Sequence, residues 1–275
     1  MALHPFQQVD VFPATALGGN PVAVVLDAEG VDDATMRRFA RWTNLSETTF
    51  VLPPTGDADY RLRIFTPAEE LPFAGHPTLG SAHAWARRTG ATAATLVQEC
   101  GAGLVALRRE EGGWALAAPP LIRGGAADEA DAVRAAAALR VPREAVLEAE
   151  WVDNGPGWLA VRLASADAVL ALRPDFGAMP FPIGVVGPHA PGGPADHEVR
   201  AFVPGLGVPE DPVTGSLNAG IATWFFRTGL EQESYTVRQG TALGADGRVL
   251  AVDDGGGAAW ISGATRTVVE GSVDL

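Results

Sequence analysis

His76-Pro77-Thr78-Leu79-Gly80-Ser81-Ala82-His83-Ala84 and Asp211-Pro212-Val213-Thr214-Gly215-Ser216-Leu217-Asn218-Ala219 carry proline, glycine, serine and alanine in one register. Upstream of the first copy stands Arg63-Ile64-Phe65-Thr66-Pro67, and upstream of the second Arg200-Ala201-Phe202-Val203-Pro204. Arg-Thr-Gly closes both segments, at Arg88 to Gly90 and Arg227 to Gly229. Val9-Asp10 and Gly19-Asn20-Pro21-Val22-Ala23-Val24 are echoed more loosely by Val152-Asp153 and Gly157-Trp158-Leu159-Ala160-Val161. Order is kept as well as spelling, so the chain is internally duplicated. The halves divide near residue 120, as 1–120 and 121–263, with 264–275 available to complete the first.

Both halves mix strands with helices. Gln8-Val9-Asp10-Val11-Phe12, Val22-Ala23-Val24-Val25-Leu26, Thr48-Thr49-Phe50-Val51-Leu52 and Tyr60-Arg61-Leu62-Arg63-Ile64-Phe65 alternate or run apolar as strands do. Asp32 or Asp33 can cap a helix that carries Met36, Phe39, Ala40 and Trp42 on one face. A second helix runs through Leu79, Ala82 and Trp85 and ends near Gly90. Strands are expected near 94–99 and 103–108, then a connection and a helix between 124 and 138. A new alternating run starts at Trp151.

The repeated segment reads as a helix start, with proline at the first helical position and a polar residue before it. First-turn amides have no intrahelical acceptor, and the helix dipole adds positive charge there, so such a start can hold a carboxylate or phosphate. Gly80 and Gly215 are expected in that turn, where a missing side chain admits a ligand. If the halves pack face to face, both starts can open into one crevice. The plainer reading of each start is capping chemistry alone.

Composition removes several alternatives. All 20 basic residues are arginine, so neither a lysine Schiff base to pyridoxal phosphate nor a lysine-bearing phosphate loop can form. The single Cys100 excludes a disulfide within the chain and a two-thiol racemase. A net charge of −13 argues against nucleic acid as a partner. No apolar run approaches the roughly 18 residues of a membrane-spanning helix. The N-terminal residues lack the pattern of a signal peptide. A cytoplasmic protein without nucleic-acid or membrane partners is the expectation. His4, His189 and His197 show no metal-ligand spacing, so no metal is expected.

Three motifs carry a resemblance to a known family: Asn44-Leu45-Ser46-Glu47-Thr48-Thr49-Phe50, Leu71-Pro72-Phe73-Ala74-Gly75-His76-Pro77-Thr78-Leu79-Gly80, and Glu210-Asp211-Pro212-Val213-Thr214-Gly215-Ser216. In order and spacing they resemble the signatures of the phenazine-biosynthesis PhzF-like isomerases, and the likeness fades at about 121–150 and 176–197. It implies an α+β, diaminopimelate-epimerase-like fold of two pseudo-symmetric halves, each a mostly antiparallel sheet wrapped around a central helix. It also implies a homodimeric isomerase without cofactor or metal, acting on a small carboxylate-bearing metabolite. Carried over by motif, Glu47, Asp211 and His76 are the catalytic residues. Ser216, Gly75, Gly80, Thr214 and Gly215 bind substrate. Val213 and Leu217 stand where the family often has alanine, which is expected to reshape the pocket. A carbon-to-carbon proton shift needs a base that becomes the acid, and a carboxylate can serve as both. The other reading is a non-catalytic carboxylate-binding protein on the same fold.

Overall fold

Alternating apolar and polar residues become strands in both halves, and two segments rich in small and apolar residues between them become buried helices. The computed structural model describes residues 2–204 and 209–275. It divides into one unit of residues through Ala117 with Ser262–Leu275, and another of Ala118–Ile261. The first holds β1 (Leu3–Val11), β2 (Asn20–Val25), α1 (Asp33–Thr43), β3 (Glu47–Leu52), β4 (Tyr60–Phe65), β5 (Glu70–Leu71), α2 (Gly75–Thr89), β6 (Thr95–Cys100), β7 (Gly103–Glu110) and β8 (Gly113–Ala117). The second holds β9 (Arg123–Ala126), α3 (Glu129–Leu139), β10 (Glu148–Asp153), β11 (Leu159–Arg162), α4 (Ala166–Leu170), β12 (Ile183–Pro188) and β13 (His197–Phe202). It continues with β14 (Glu210–Asp211), α5 (Gly215–Thr228), β15 (Ser234–Gln239) and β16 (Gly247–Asp253). The last strand, β17 (Ala259–Asp274), starts in the second unit and ends in the first.

In the first unit β17, β1, β2, β3, β4, β6, β7 and β8 pair in that order, and β8 pairs back with β17. The strands therefore close into a ring with no free edge, which removes a template for aggregation. β2–β3 and β4–β6 are parallel. Helix α2 lies against β1, β2, β3, β4, β6 and β8. Its buried residues include Leu79, Gly80, Ser81, Ala82, Ala84 and Ala86, small side chains that suit a helix surrounded by strands. Helix α1 begins at the Asp32 cap, which accepts from the Thr35 amide, and packs Met36, Phe39 and Ala40 with Phe50 and Phe65.

The second unit repeats this order. β9, β10, β11, β12, β13, β15 and β16 pair in sequence, with β11–β12 and β13–β15 parallel. Helix α5 is buried along most of its length, while α3 packs Ala135, Ala136, Ala138 and Leu139 with Trp151, Leu159 and Val161. The expected α+β class of two similar halves, each with a central helix, is what forms.

The register of the repeat is corrected, however. α2 begins at Gly75, so Pro77 lies inside the first turn, where a missing N–H costs nothing. α5 begins at Gly215, so Pro212 lies in the extended chain ahead of it. The equivalent stretches are therefore Glu70-Leu71-Pro72-Phe73-Ala74-Gly75-His76 and Glu210-Asp211-Pro212-Val213-Thr214-Gly215-Ser216. His76 corresponds to Ser216, and Leu71 to Asp211.

Each stretch is tied to its sheet by a two-pronged arginine–glutamate pair. Arg63 donates to Glu70 through Nε and Nη2 at 2.7 Å each. Arg200 donates to Glu210 at 2.8 and 2.7 Å, and its Nη1 also reaches the Leu172 carbonyl at 3.0 Å. The first pair is 23% and 30% exposed, the second 6% and 7%. Removing a buried charge's partner strands the other charge, whereas an exposed one is rehydrated. Urea unfolding should therefore show Glu210→Gln to cost about 3–5 kcal/mol, and Glu70→Gln about 1 kcal/mol or less.

Candidate active site

Glu47 opens β3 and His76 is the second residue of α2. Strand side chains alternate, so Glu47 and Thr49 share a face. Thr49 Oγ1 meets Ser81 Oγ of α2 at 2.9 Å. Two strand residues back from Thr49 cover about 6.7 Å, and five helical residues back from Ser81 cover about 7.5 Å. The two rises nearly match, and they bring Glu47 to His76: Oε2 and Nε2 stand 3.3 Å apart. On the other side of the ring, Nδ1 lies 3.4 Å from Asn20 Nδ2, at the first residue of β2. The imidazole also bonds the Pro21 carbonyl.

His76 is buried, and that burial lowers its pKa to about 3, so the ring is neutral at physiological pH. It can orient a carboxylate by hydrogen bonding, but it supplies no imidazolium. The Glu47 side chain as a whole keeps 15% exposure. No side chain caps the start of α2. A carboxylate, a neutral ring and an uncapped helix start thus share one corner of the first unit.

The second unit gathers Asp211, Thr214, Gly215 and Ser216 around the start of α5, which also has no side-chain cap. Thr214 Oγ1 donates to Asp211 Oδ2 at 2.5 Å and accepts from Gln239 Nε2 at 2.9 Å. Gln239 Oε1 accepts from the Thr214 amide at 3.1 Å and from Asn218 Nδ2 at 2.8 Å. Trp158 Nε1 donates to Ser216 Oγ at 3.1 Å, and Asn154 Nδ2 to the Ser216 carbonyl at 2.8 Å. The Ser216 hydroxyl oxygen is thus occupied as an acceptor, which turns its own proton toward another group.

Gly80 does not belong to the candidate site. It is the sixth residue of α2, and a Cβ there would lie 2.4 Å from Val22 Cγ1 and 3.0 Å from Val11 Cγ2. Its lack of a side chain serves helix–strand packing and leaves no room for ligand. Val213 and Leu217 likewise pack inward. Both are fully buried, with Leu217 filling the space above Gly184 and Val213 that above Gly247. Asn20, Trp158 and Gln239 were missed in the sequence. A polar residue at a strand end beside apolar neighbours was the available signal, but turn chemistry explained Asn20 equally well. Among the described residues, no three His, Cys, Asp or Glu side chains gather as metal ligands, and no helix is long and apolar enough to cross a membrane.

Fold and site together define a duplicated α+β protein of the diaminopimelate-epimerase-like class. The crystal structure of a phenazine biosynthesis protein of the PhzF family from Enterococcus faecalis superimposes with a TM-score of 0.84 at 26% identity, covering 100% of both chains. The family model for phenazine biosynthesis-like proteins, PhzC-PhzF, matches residues 9–271. The trans-2,3-dihydro-3-hydroxyanthranilate isomerase of Pseudomonas aeruginosa is 35% identical over 284 residues, 99% of this chain and 100% of its own. Antisense-enhancing sequence 1 of Schizosaccharomyces pombe is 38% identical over 266 residues, 88% of each. The chain belongs to the PhzC/PhzF phenazine biosynthesis-like family, and it is an isomerase of the PhzF type.

The buried ring makes stability depend on pH in one direction. His76 stays neutral when folded, while in the unfolded chain it takes up a proton below about 6.5. Its contribution is full above that pH and is lost as the pH falls toward its folded value, amounting to about 2 kcal/mol by pH 5. Urea titrations should show wild type losing that much more than His76→Gln between pH 7 and 5.

Proposed function

We propose that this isomerase acts without a cofactor on a small carboxylate-bearing substrate, with Glu47 carrying a proton from one carbon to another. The observation that carries the reading is the Glu47 carboxylate 3.3 Å from the neutral His76 ring, beside the uncapped start of α2. Glu47 removes a proton from carbon, becomes a carboxylic acid whose proton exchanges with solvent, and delivers a proton to a second carbon. Atoms and electrons balance without an oxidant or reductant. His76 holds the carboxylate in place. In the first unit Gly75 supplies first-turn backbone for an anionic group. In the second unit Thr214 and Gly215 supply the same at the start of α5, and Asp211 and Ser216 bind polar substituents. Asp211 is itself held by Thr214, so its direction is fixed by the Gln239 network. The same reading makes the protein a homodimer, as the family resemblance implies, and takes it as cytoplasmic, as its composition leads one to expect.

The probe is trans-2,3-dihydro-3-hydroxyanthranilate, on which the Pseudomonas relative is named to act. In deuterium oxide, wild type should introduce deuterium at carbon as the isomer forms. Glu47→Gln should be slower by about 10²- to 10⁴-fold, the range ascribed to a positioned acid–base group. Undiminished exchange in that variant would sink the assignment. Tight binding with no exchange by wild type favours a non-catalytic binding protein.

A thiol mechanism makes the opposite forecast. Burial raises the Cys100 thiol above its ordinary pKa, which disfavours the reactive thiolate. Cys100→Ala should retain the wild-type rate and abolish nothing but iodoacetamide labelling. A large loss of rate would restore the cysteine to the chemistry.

A further inference from the structure

The segment between β1 and β2 is folded around a buried carboxylate that the proposed chemistry does not use. Asp10, one residue before the end of β1, is buried, and its Oδ1 accepts from the Gly19 amide at 3.0 Å. The amides of Leu17 and Gly18 also turn toward the carboxylate, and Arg266 stands opposite Asp10 on β17. Two non-glycine residues of the segment adopt left-handed backbone, Phe12 at φ 66° and Leu17 at φ 65°. Such residues persist only where their surroundings hold them. A Cβ on Gly19 would lie 2.2 Å from the Val11 carbonyl oxygen and 2.6 Å from Asp10 Oδ1, so glycine alone lets the chain close so tightly. The next residue is Asn20, fully buried against His76.

From this we infer that Asp10 is a positioning residue for the proton-transfer pair: it sets the 12–19 loop, the loop sets Asn20, and Asn20 sets the His76 ring that faces Glu47. The inference rests on the assignment of Glu47 and His76 made above. Support comes from the second unit, which uses the same device. Asp153, at the end of β10, accepts from the Gly155 and Gly157 amides at 2.8 and 2.7 Å. The residue that follows is Trp158, which donates to Ser216 at the start of α5. In both units, an aspartate at or next to the end of a strand, β1 or β10, gathers amides of the following loop, which delivers one side chain to the second residue of the central helix. A merely structural turn would have no reason to end on that position twice.

The test is Asp10→Asn, which keeps the size of the side chain and puts an amide NH₂ among donors. Histidine-selective ¹⁵N labelling reads the five rings of the chain directly. Wild-type His76 should show one neutral tautomer. In Asp10→Asn its signals should shift or broaden into tautomer exchange, while those of His189 and His197 in the second unit stay put. With trans-2,3-dihydro-3-hydroxyanthranilate, kcat should fall about 10- to 100-fold and KM change by less than about threefold, as for a small misplacement of reacting groups. Val161→Ala, in the core of the second unit, should lower Tm without either effect. Unchanged His76 signals, or full kcat, in a folded Asp10→Asn protein would overturn the inference. Should that variant not fold, amide exchange in wild type decides: slow exchange at Leu17, Gly18 and Gly19 is expected, and fast exchange refutes the anchor. A wild-type protein inert toward the probe would count against the proposed function, while the ring signals would still judge Asp10.

Discussion

The close approach of each central helix to its strands fixes the height of everything at its N-terminus. Gly80 is the sixth residue of α2 and sits on Val22 and Val11; Gly220 is the sixth residue of α5 and sits on Val152, whose carbonyl oxygen would lie 2.5 Å from an added Cβ. Neither helix can slide along or lift from the sheet without losing that contact, because interiors are packed too densely to leave compensating space. About one turn earlier, at the same depth in each unit, come His76 and Ser216. Packing at an apolar point thus determines where two polar residues stand.

A buried glutamine in each unit pairs with polar groups of the central helix, as burial requires. In the first unit Gln98 accepts from Tyr60 at 3.1 Å and donates to Thr78 at 3.0 Å. In the second, Gln239 binds Thr214 and Asn218. The two glutamines hold corresponding strands, β6 and β15, to corresponding helices. What differs is the surface each unit offers at the helix start. β3 opens with Glu47, whereas the chain entering β12 reads Pro182-Ile183. β5 ends in Leu71, whereas β14 ends in Asp211. Duplication supplied two equal scaffolds, and substitution made them chemically unequal.

Much of this was legible in the sequence because duplication writes its own alignment. The paired arginines, the Arg-Thr-Gly helix ends and the strand alternation all correspond to elements now seen, and Gly90 and Gly229 close α2 and α5 in left-handed conformations. The helix starts were harder. Proline is compatible with a first turn and with extended chain, so Pro77 and Pro212 matched by spelling while occupying different structures. The observed helix starts at Gly75 and Gly215, together with the Arg–Glu ties between neighbouring strands, reveal the true register. Gly80 and Gly215 were likewise alike in sequence, yet one faces packed valines and the other begins a helix. The neighbours of Leu217 and Val213 lie far along the chain, at Gly184 and Gly247. No local pattern could show that the larger side chains are balanced by missing ones.

The neutrality of His76 decides what kind of site this is. A protonated ring 3.3 Å from Glu47 would form an ion pair worth several kcal/mol at an effective dielectric near 20. That attraction would have to be overcome each time the carboxylate took up a proton from carbon. Burial among strands removes the charge and leaves a neutral polar ring beside the carboxylate, at far smaller electrostatic cost. The neutral state is maintained by the same ring of strands that buries α2, not by any group added for the purpose. Closing the sheet around the helix therefore does two things at once: it stabilises the unit, and it keeps the partner of the carboxylate uncharged.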